Sequence, residues 1–435
     1  MQDESTFTRR KFLETTTSAA GLSLLSSLSL PRSVFAANDD TLKLALIGCG
    51  ARGSGAADQA LKTGNVKLVA MADAFQTRLQ SSLVTLKGQQ PDKVDVPLEQ
   101  QFVGLDGFKK AMAFADVVLL TAAPGFRPEH YEEAVRQGKH VFMEKPLATD
   151  APGIRRLLAT NEEAKKKNLK VGVGFQRHHK PGYLETIKRI QDGAIGDIQA
   201  MRCYWRGTSR TGLAREAGET ELQYQIRNWY FFTWLSGDHI VEQHCHNIDV
   251  CNWVKGAHPV RASGLGGRQV RTSKEHGQIF DHHFVEFEYA DGTRMFSECS
   301  QIPGIWHTVS EHVQGSKGRA DLFNDRNGFS ITGSSPWRYR AAKGDNAYEL
   351  EHVDLFDAIR NHKPYNEAEF GAYSTMTAIM GRMATYSGEL IEWEDAFNSK
   401  LQIVPTACTW ETSPPAVSNA EGFYPVAVPG KTVAL

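Results

Sequence analysis

A β-prone run at residues 42–47 leads straight into Gly48-Cys49-Gly50-Ala51-Arg52-Gly53, and an acid, Asp73, closes the next such run 20 residues after Gly53. In that context the first glycine allows a tight turn, the second lets a phosphate approach the backbone, and the third lets the following helix pack on the strand. The free N–H groups and positive dipole end of the helix then face an anion, and the acid meets a ribose 2′-hydroxyl. Gly48, Gly50, Arg52, Gly53 and Asp73 therefore predict a dinucleotide site. A carboxylate at Asp73 also repels a 2′-phosphate, which favours NAD(H) over NADP(H).

Strand-like runs recur at residues 66–72, 117–121 and 140–143 with helix-like stretches between them. Alternation of this kind predicts an α/β Rossmann domain, a doubly wound parallel sheet, over residues 41–170. Past Gly174 the texture changes to a helix over 183–191 and alternating segments at 198–205, 284–289 and 294–299, the last two flanking the hairpin signal Ala290-Asp291-Gly292. An α+β domain with an open antiparallel sheet is expected over 171–400, including a helical stretch at 353–389, then a Pro-containing tail over 401–435. A chain of 435 residues has room for both domains.

The 49 Lys+Arg against 50 Asp+Glu give a formal charge of -1 without long blocks of one sign, which removes the electrostatic footprint of a nucleic-acid binder. The longest nearly apolar stretch, residues 19–30, is far short of the roughly 20 residues of a spanning helix, so no stable membrane insertion is expected. It is preceded by Thr8-Arg9-Arg10-Lys11-Phe12-Leu13 and followed by Val34-Phe35-Ala36. Residues 1–36 thus read as a twin-arginine signal cleaved after Ala36, and the protein as periplasmic or secreted. That route moves folded proteins, so a tightly bound cofactor is expected. The six scattered cysteines, without a CxxC pair, read as mostly buried thiols.

Chemistry is expected where the run His140-Val141-Phe142-Met143 ends in Glu144-Lys145-Pro146. Ligands of parallel sheets bind beyond the carboxyl ends of the strands, which points Lys145 into the cleft. A second cluster extends from Gly237 to Asp249. On one helix His239, Glu242, His246 and Asp249 share a face. Such a face suits acid–base work on a hydroxyl, with His246 exchanging the proton and Glu242 orienting the imidazole and raising its pKa. The spacing of His239, Glu242 and His246 would also admit a metal, but no HExxH pattern occurs and none is predicted. The tandem pairs His178-His179 and His282-His283 read as structural, since neighbours in an extended segment point to opposite sides.

Together with Thr121-Ala122-Ala123-Pro124 followed by His130, and Gly174-Phe175-Gln176-Arg177, these motifs resemble the Gfo/Idh/MocA oxidoreductases over most of the chain after the signal. The resemblance implies a Rossmann domain, a second domain whose open sheet makes oligomer contacts in a dimer or tetramer, and hydride transfer at a sugar or cyclitol hydroxyl carbon. The family's catalytic lysine matches Lys145, and its Asp and His, four apart, match Glu242 and His246. Thr121, Pro124, His130, Glu144, Lys145 and Arg177 join the cofactor set. Glutamate for aspartate is a departure that lengthens the reach by a methylene, leaving open whether Glu242 meets substrate or only His246. His244 stands where the family commonly has glycine and adds bulk. Flat aromatic faces suit sugars, so Trp205, Arg206 and Trp229 join Lys145, His239, His246 and Asp249 as the expected substrate wall, with Trp234 and Trp306 as further aromatic candidates. The expected protein is an NAD(H)-dependent oxidoreductase of a sugar or polyol. The alternatives are an NAD-dependent glycosidase working by transient oxidation, elimination and re-reduction, and a non-catalytic sugar- or NAD-binding protein.

Overall fold

The computed structural model describes residues 40–208, 210–323, 328–340 and 346–435, so the signal read at residues 1–36 lies outside the described residues. Strand β1 (Leu42–Ile47) is apolar and fully buried from Leu44 onward, as a strand with helices on both faces must be. With β2 (Val66–Asp73), β3 (Gln101–Val103), β4 (Val117–Leu120), β5 (His140–Met143) and β6 (Val171–Val173) it forms a parallel sheet in the order β3-β2-β1-β4-β5-β6. Winding reverses between β1 and β4, and a crevice opens at that switch point beyond the carboxyl ends. Gly48 follows β1, Asp73 ends β2, Thr121 follows β4 and Glu144 follows β5, so topology alone brings them to one rim.

The second sheet has nine strands: β7 (Ile198–Arg206), β8 (Arg261–Gly267), β9 (His282–Glu288), β10 (Arg294–Ser300), β11 (Thr308–Gly315), β12 (Gly318–Phe323), β13 (Phe329–Gly333), β14 (Trp337–Arg338) and β15 (Ile391–Glu392). Their order is β14-β13-β12-β11-β7-β10-β9-β8-β15. It is mixed and mostly antiparallel, because β10 runs parallel to β7 while pairing antiparallel with β9. The Asp291-Gly292 turn closes the β9–β10 hairpin, with the Gly292 N–H donating to the Tyr289 carbonyl at 2.8 Å. One face, including Met201, Cys203, Val285, Phe287 and Met295, packs in a common core with the helices Cys245–Lys255 and Ala368–Ser387. On the other, the cross-strand neighbours Leu265 and Phe284 are 64% and 48% exposed.

Two expected helices are each broken in two. The stretch expected over 353–389 is Ala347–Arg360 and Ala368–Ser387. Pro364 lacks an N–H and disfavours helical geometry at Lys363, and Asn366 bridges to Val171 of the first sheet. The helix expected through the 237–249 cluster is His239–Glu242 followed by Cys245–Lys255. The Lys145 ammonium donates to the Glu242 carbonyl, the acceptor a continuous helix would offer to the His246 N–H. That N–H turns to the Gln243 carbonyl at 3.4 Å instead.

The domains are tied beside the site. Leu147 N–H donates to Thr375 Oγ1 at 3.2 Å, and Arg382 donates to the carbonyls of Thr149 at 2.7 Å and Gly237 at 3.1 Å. The helix Ala347–Arg360 returns to pack on Ala51–Lys62 and β6, completing the first layer from far along the chain. All six cysteines are free thiols, five of them buried. No helix among the described residues is long and apolar enough to cross a membrane.

Candidate active site

The crevice at the switch point encloses about 930 Å³. On its first wall Gly48 has φ +96°, and a Cβ on Gly53 would lie 2.0 Å from the Gly48 carbonyl oxygen, so the turn and the helix packing both need glycine there. A Cβ on Gly50 would meet nothing within 4 Å. Gly50 is also the N-cap of Ala51–Lys62 and supplies no side-chain cap, leaving the first helical N–H groups facing open space. A diphosphate fits this cradle. Asp73 accepts from the Cys49 N–H at 2.7 Å and the Phe75 N–H at 2.9 Å, which fixes its carboxylate at the ribose end. Burial raises its pKa, against the pull of those two N–H groups.

Thr121 donates from Oγ1 to the Gly48 carbonyl at 2.6 Å and lines the crevice with Pro124 and His130. The His130 ring packs against that of Phe108 at 4.2 Å, tilted by 35°, and burial, then Arg127 and Lys109, hold its pKa down to about 3. Arg52 pairs with Glu144 at 3.0 Å and lies over the Tyr348 ring at 5.0 Å. These residues would hold NAD(H): the glycines and helix end at the diphosphate, Asp73 at the ribose.

The facing wall brings Lys145, Glu242, His246, Trp205 and Trp229 together. Lys145 donates to the Glu242 carbonyl, and its ammonium lies 3.5 Å from Oε1. Burial pulls the Lys145 pKa down, but Glu242, with Cys245 and Glu144, outweighs it and holds the group above the ordinary lysine value. The second Glu242 oxygen, Oε2, is buried without a partner. His246 lies near-parallel to Trp205 at 6.0 Å and edge-on to Phe175 at 5.7 Å. Burial first, then Lys145, Arg177 and His244, push its pKa well below the ordinary value, so the ring is neutral. The expected action of Glu242 on His246 is thereby corrected: the carboxylate serves Lys145, because the helix that would have stacked it over His246 is broken between them.

Four expected site residues do not line the crevice. His239 turns its Nδ1 to Asp238 at 2.8 Å, and burial lowers its pKa to about 4. Asp249 accepts from Ser374 at 2.7 Å and pairs with His178 at 2.8 Å. Arg177 is buried in an ion pair with Glu311, and Arg206 pairs with Glu298 at 3.3 Å beneath Trp306. The metal spacing considered for His239, Glu242 and His246 does not converge either. Among the described residues the ligand-type trio is Asp238, His239 and His283, fully buried, where Asp238 already accepts from the Phe280 N–H and the Tyr386 hydroxyl. Of the tryptophans, Trp234 is core and Trp306 is 62% exposed.

Tyr348, Gln243, Arg210 and Arg78 line the crevice without having been anticipated. The Tyr348 hydroxyl accepts from Gln176 Nε2 at 3.0 Å, and Gln243 Oε1 accepts from Gln301 Nε2 at 2.7 Å. Tyr348 and Arg210 reach the site from distant parts of the chain and no local pattern marks them, whereas Arg78 stands in the helix Gln76–Gln89 directly after Asp73 and Gln243 lies inside the ionisable cluster.

Residues 42–175 match the family model for the oxidoreductase family NAD-binding Rossmann fold, and residues 183–321 match the GFO/IDH/MocA C-terminal domain. The chain is 30% identical over 353 residues to the inositol 2-dehydrogenase of Klebsiella pneumoniae (strain 342), spanning 78% of this chain and 92% of that protein. Among solved structures, scyllo-inositol dehydrogenase from Lactobacillus casei with bound NAD(H) and scyllo-inositol superposes with a TM-score of 0.63 at 20% identity, covering 81% of this chain and 99% of that one. The aldose-aldose oxidoreductase from Caulobacter crescentus complexed with glycerol gives 0.64 at 17% identity with the same coverage. The dinucleotide crevice, the two family domains in order and a relative matched over most of its length converge on one conclusion: this chain belongs to the Gfo/Idh/MocA oxidoreductases and is an NAD-dependent enzyme.

Proposed function

We propose that the protein transfers a hydride between NAD(H) and a hydroxyl-bearing ring carbon of a cyclic polyol or sugar, with the dinucleotide kept bound between turnovers. The meeting of Lys145, Glu242 and His246 opposite the glycine turn carries this reading. Bound NAD(H) supplies or accepts the hydride. Neutral His246 takes the hydroxyl proton as the carbonyl forms and returns it in the reverse direction. Lys145, held charged by Glu242, donates to the reacting oxygen and stabilises its developing negative charge. The unpartnered Oε2 of Glu242 is free to accept from a neighbouring substrate hydroxyl, and Trp205 offers a flat face to a ring. Relatives named for inositol support the cyclic polyol class.

Export through the twin-arginine route is supported by Arg9-Arg10 and the small residues before Ala36. Outside the cytoplasm free dinucleotide is scarce, so a second carbonyl compound reoxidises the retained NADH in place. A homo-oligomer is supported by the uncovered face of the second sheet with Leu265, Phe284 and, against Tyr204, Trp306.

The test is to denature the purified protein and assay the supernatant for dinucleotide, then add myo-inositol, scyllo-inositol or aldoses to native protein and follow the nicotinamide absorbance. Stoichiometric dinucleotide and a polyol-dependent change are expected. Absent dinucleotide would remove retention, and an unchanged spectrum with every polyol and aldose would remove the substrate class.

A further inference from the structure

Residues 399–435 carry no helix or strand, yet they are pinned along their length. The N–H groups of Ile403 and Val404 donate to Asp150 Oδ2 at 2.9 and 3.3 Å. The Trp410 ring meets Phe75 at 6.0 Å. The Ala416 carbonyl accepts from Gln225 at 2.6 Å, and Tyr424 sits edge-on to Phe232 at 4.8 Å. Asp150 and Phe75 belong to the first domain, Gln225 and Phe232 to the second, so this segment crosses from one to the other.

Its apolar side chains pack against residues of the crevice wall. Ile403, Val404, Trp410, Ala416 and Tyr424 share a single cluster with Ala74, Leu105, Ala123, Phe126, Ile226 and Trp229, and all six of the latter line the crevice. Phe75, the partner of Trp410, donates its N–H to Asp73 Oδ1, the acid assigned to the adenosine ribose. The matched family regions end at residue 321, so this segment lies beyond both.

We propose that residues 399–426 form a strap that closes the adenosine side of the crevice across the two domains and slows release of the dinucleotide. Parting the domains on that side exposes the shared apolar cluster and breaks the Asp150 and Gln225 hydrogen bonds, so exchange waits on the strap lifting. The strap deepens the retained-cofactor reading and rests on it.

The full chain is loaded with NADH, and release into excess NAD+ is followed by nicotinamide fluorescence, with a thermal melt of each variant alongside. Trp410→Ala should speed release about tenfold, the scale of one lost aromatic contact with its buried area. Ile403→Ala, which loosens the strap on the Asp150 side, should act in the same direction, and Trp410→Phe should stay near the wild-type rate. Val428→Ala, in the tail beyond the strap, serves as the control. Release unchanged in both Trp410→Ala and Ile403→Ala, or hastened as much by Val428→Ala, overturns the strap. A wild-type protein that binds no NADH overturns the cofactor reading beneath it, which is a different result.

Discussion

On the first wall of the crevice Gly48, Gly50 and Gly53 sit within one turn and the start of one helix, whereas on the facing wall Lys145, Trp205, Glu242 and His246 arrive from the end of β5, from β7 and from two short helices. The first wall works through backbone, N–H groups and a helix end whose positions follow from glycine spacing. The second works through side chains whose protonation is set by what lies behind them. Lys145 and Arg177 show the difference within one class of residue. Both are buried cations paired with a glutamate, but the Lys145 pair faces the crevice and the Arg177–Glu311 pair does not.

The sharpest way to separate the walls is to remove the proton carrier. His246→Ala should lower turnover by roughly two to four orders of magnitude, and Lys145→Ala by a comparable factor, with NADH titration of His246→Ala changed only a few-fold. If His246→Ala turns over like wild type, the chemistry lies elsewhere. Next in size is the pair outside the crevice. Arg177→Met leaves Glu311 buried without its partner and should cost about 3–5 kcal/mol of folding stability, read by urea unfolding, while NADH affinity holds within about twofold. A large loss of NADH affinity in a stably folded Arg177→Met protein would return that residue to the cofactor wall.

On the first wall the expected effect is smaller. Asp73→Asn removes charge while keeping an acceptor for the Cys49 or Phe75 N–H, so it should narrow the preference for NADH over NADPH by about tenfold. Equal wild-type affinity for the two would undo the ribose assignment. Smallest and most telling is Glu242→Gln. Its carboxylate favours the Lys145 ammonium against burial, so losing the charge lets the Lys145 pKa fall and moves the alkaline limb of the pH profile to lower pH. The acid limb, set by His246 under burial, Lys145, Arg177 and His244, should stay in place. An acid limb that moves instead would restore the direct coupling of Glu242 to His246.

Much of the molecule was legible beforehand. Glycine spacing, the strand-end acid and Glu144-Lys145-Pro146 depend on neighbours in the chain and on where parallel strands end, and the structure places them at one rim. His239 and Asp249 were misplaced for a physical reason. Each shares an unbroken helix with a crevice residue, His239 with Glu242 and Asp249 with His246, but groups behind the helices claim them: Asp238 takes His239, while Ser374 and His178 take Asp249.

What the sequence by itself determined is the parallel sheet, the dinucleotide turn and the lysine at its rim, because local sterics and strand polarity dictate them. Only the tertiary structure decided that Glu242 holds Lys145 rather than His246, that Arg177 serves a buried ion pair, and that the tail crosses from one domain to the other. Those outcomes depend on which distant groups reach a buried polar atom first, and no periodicity encodes that competition.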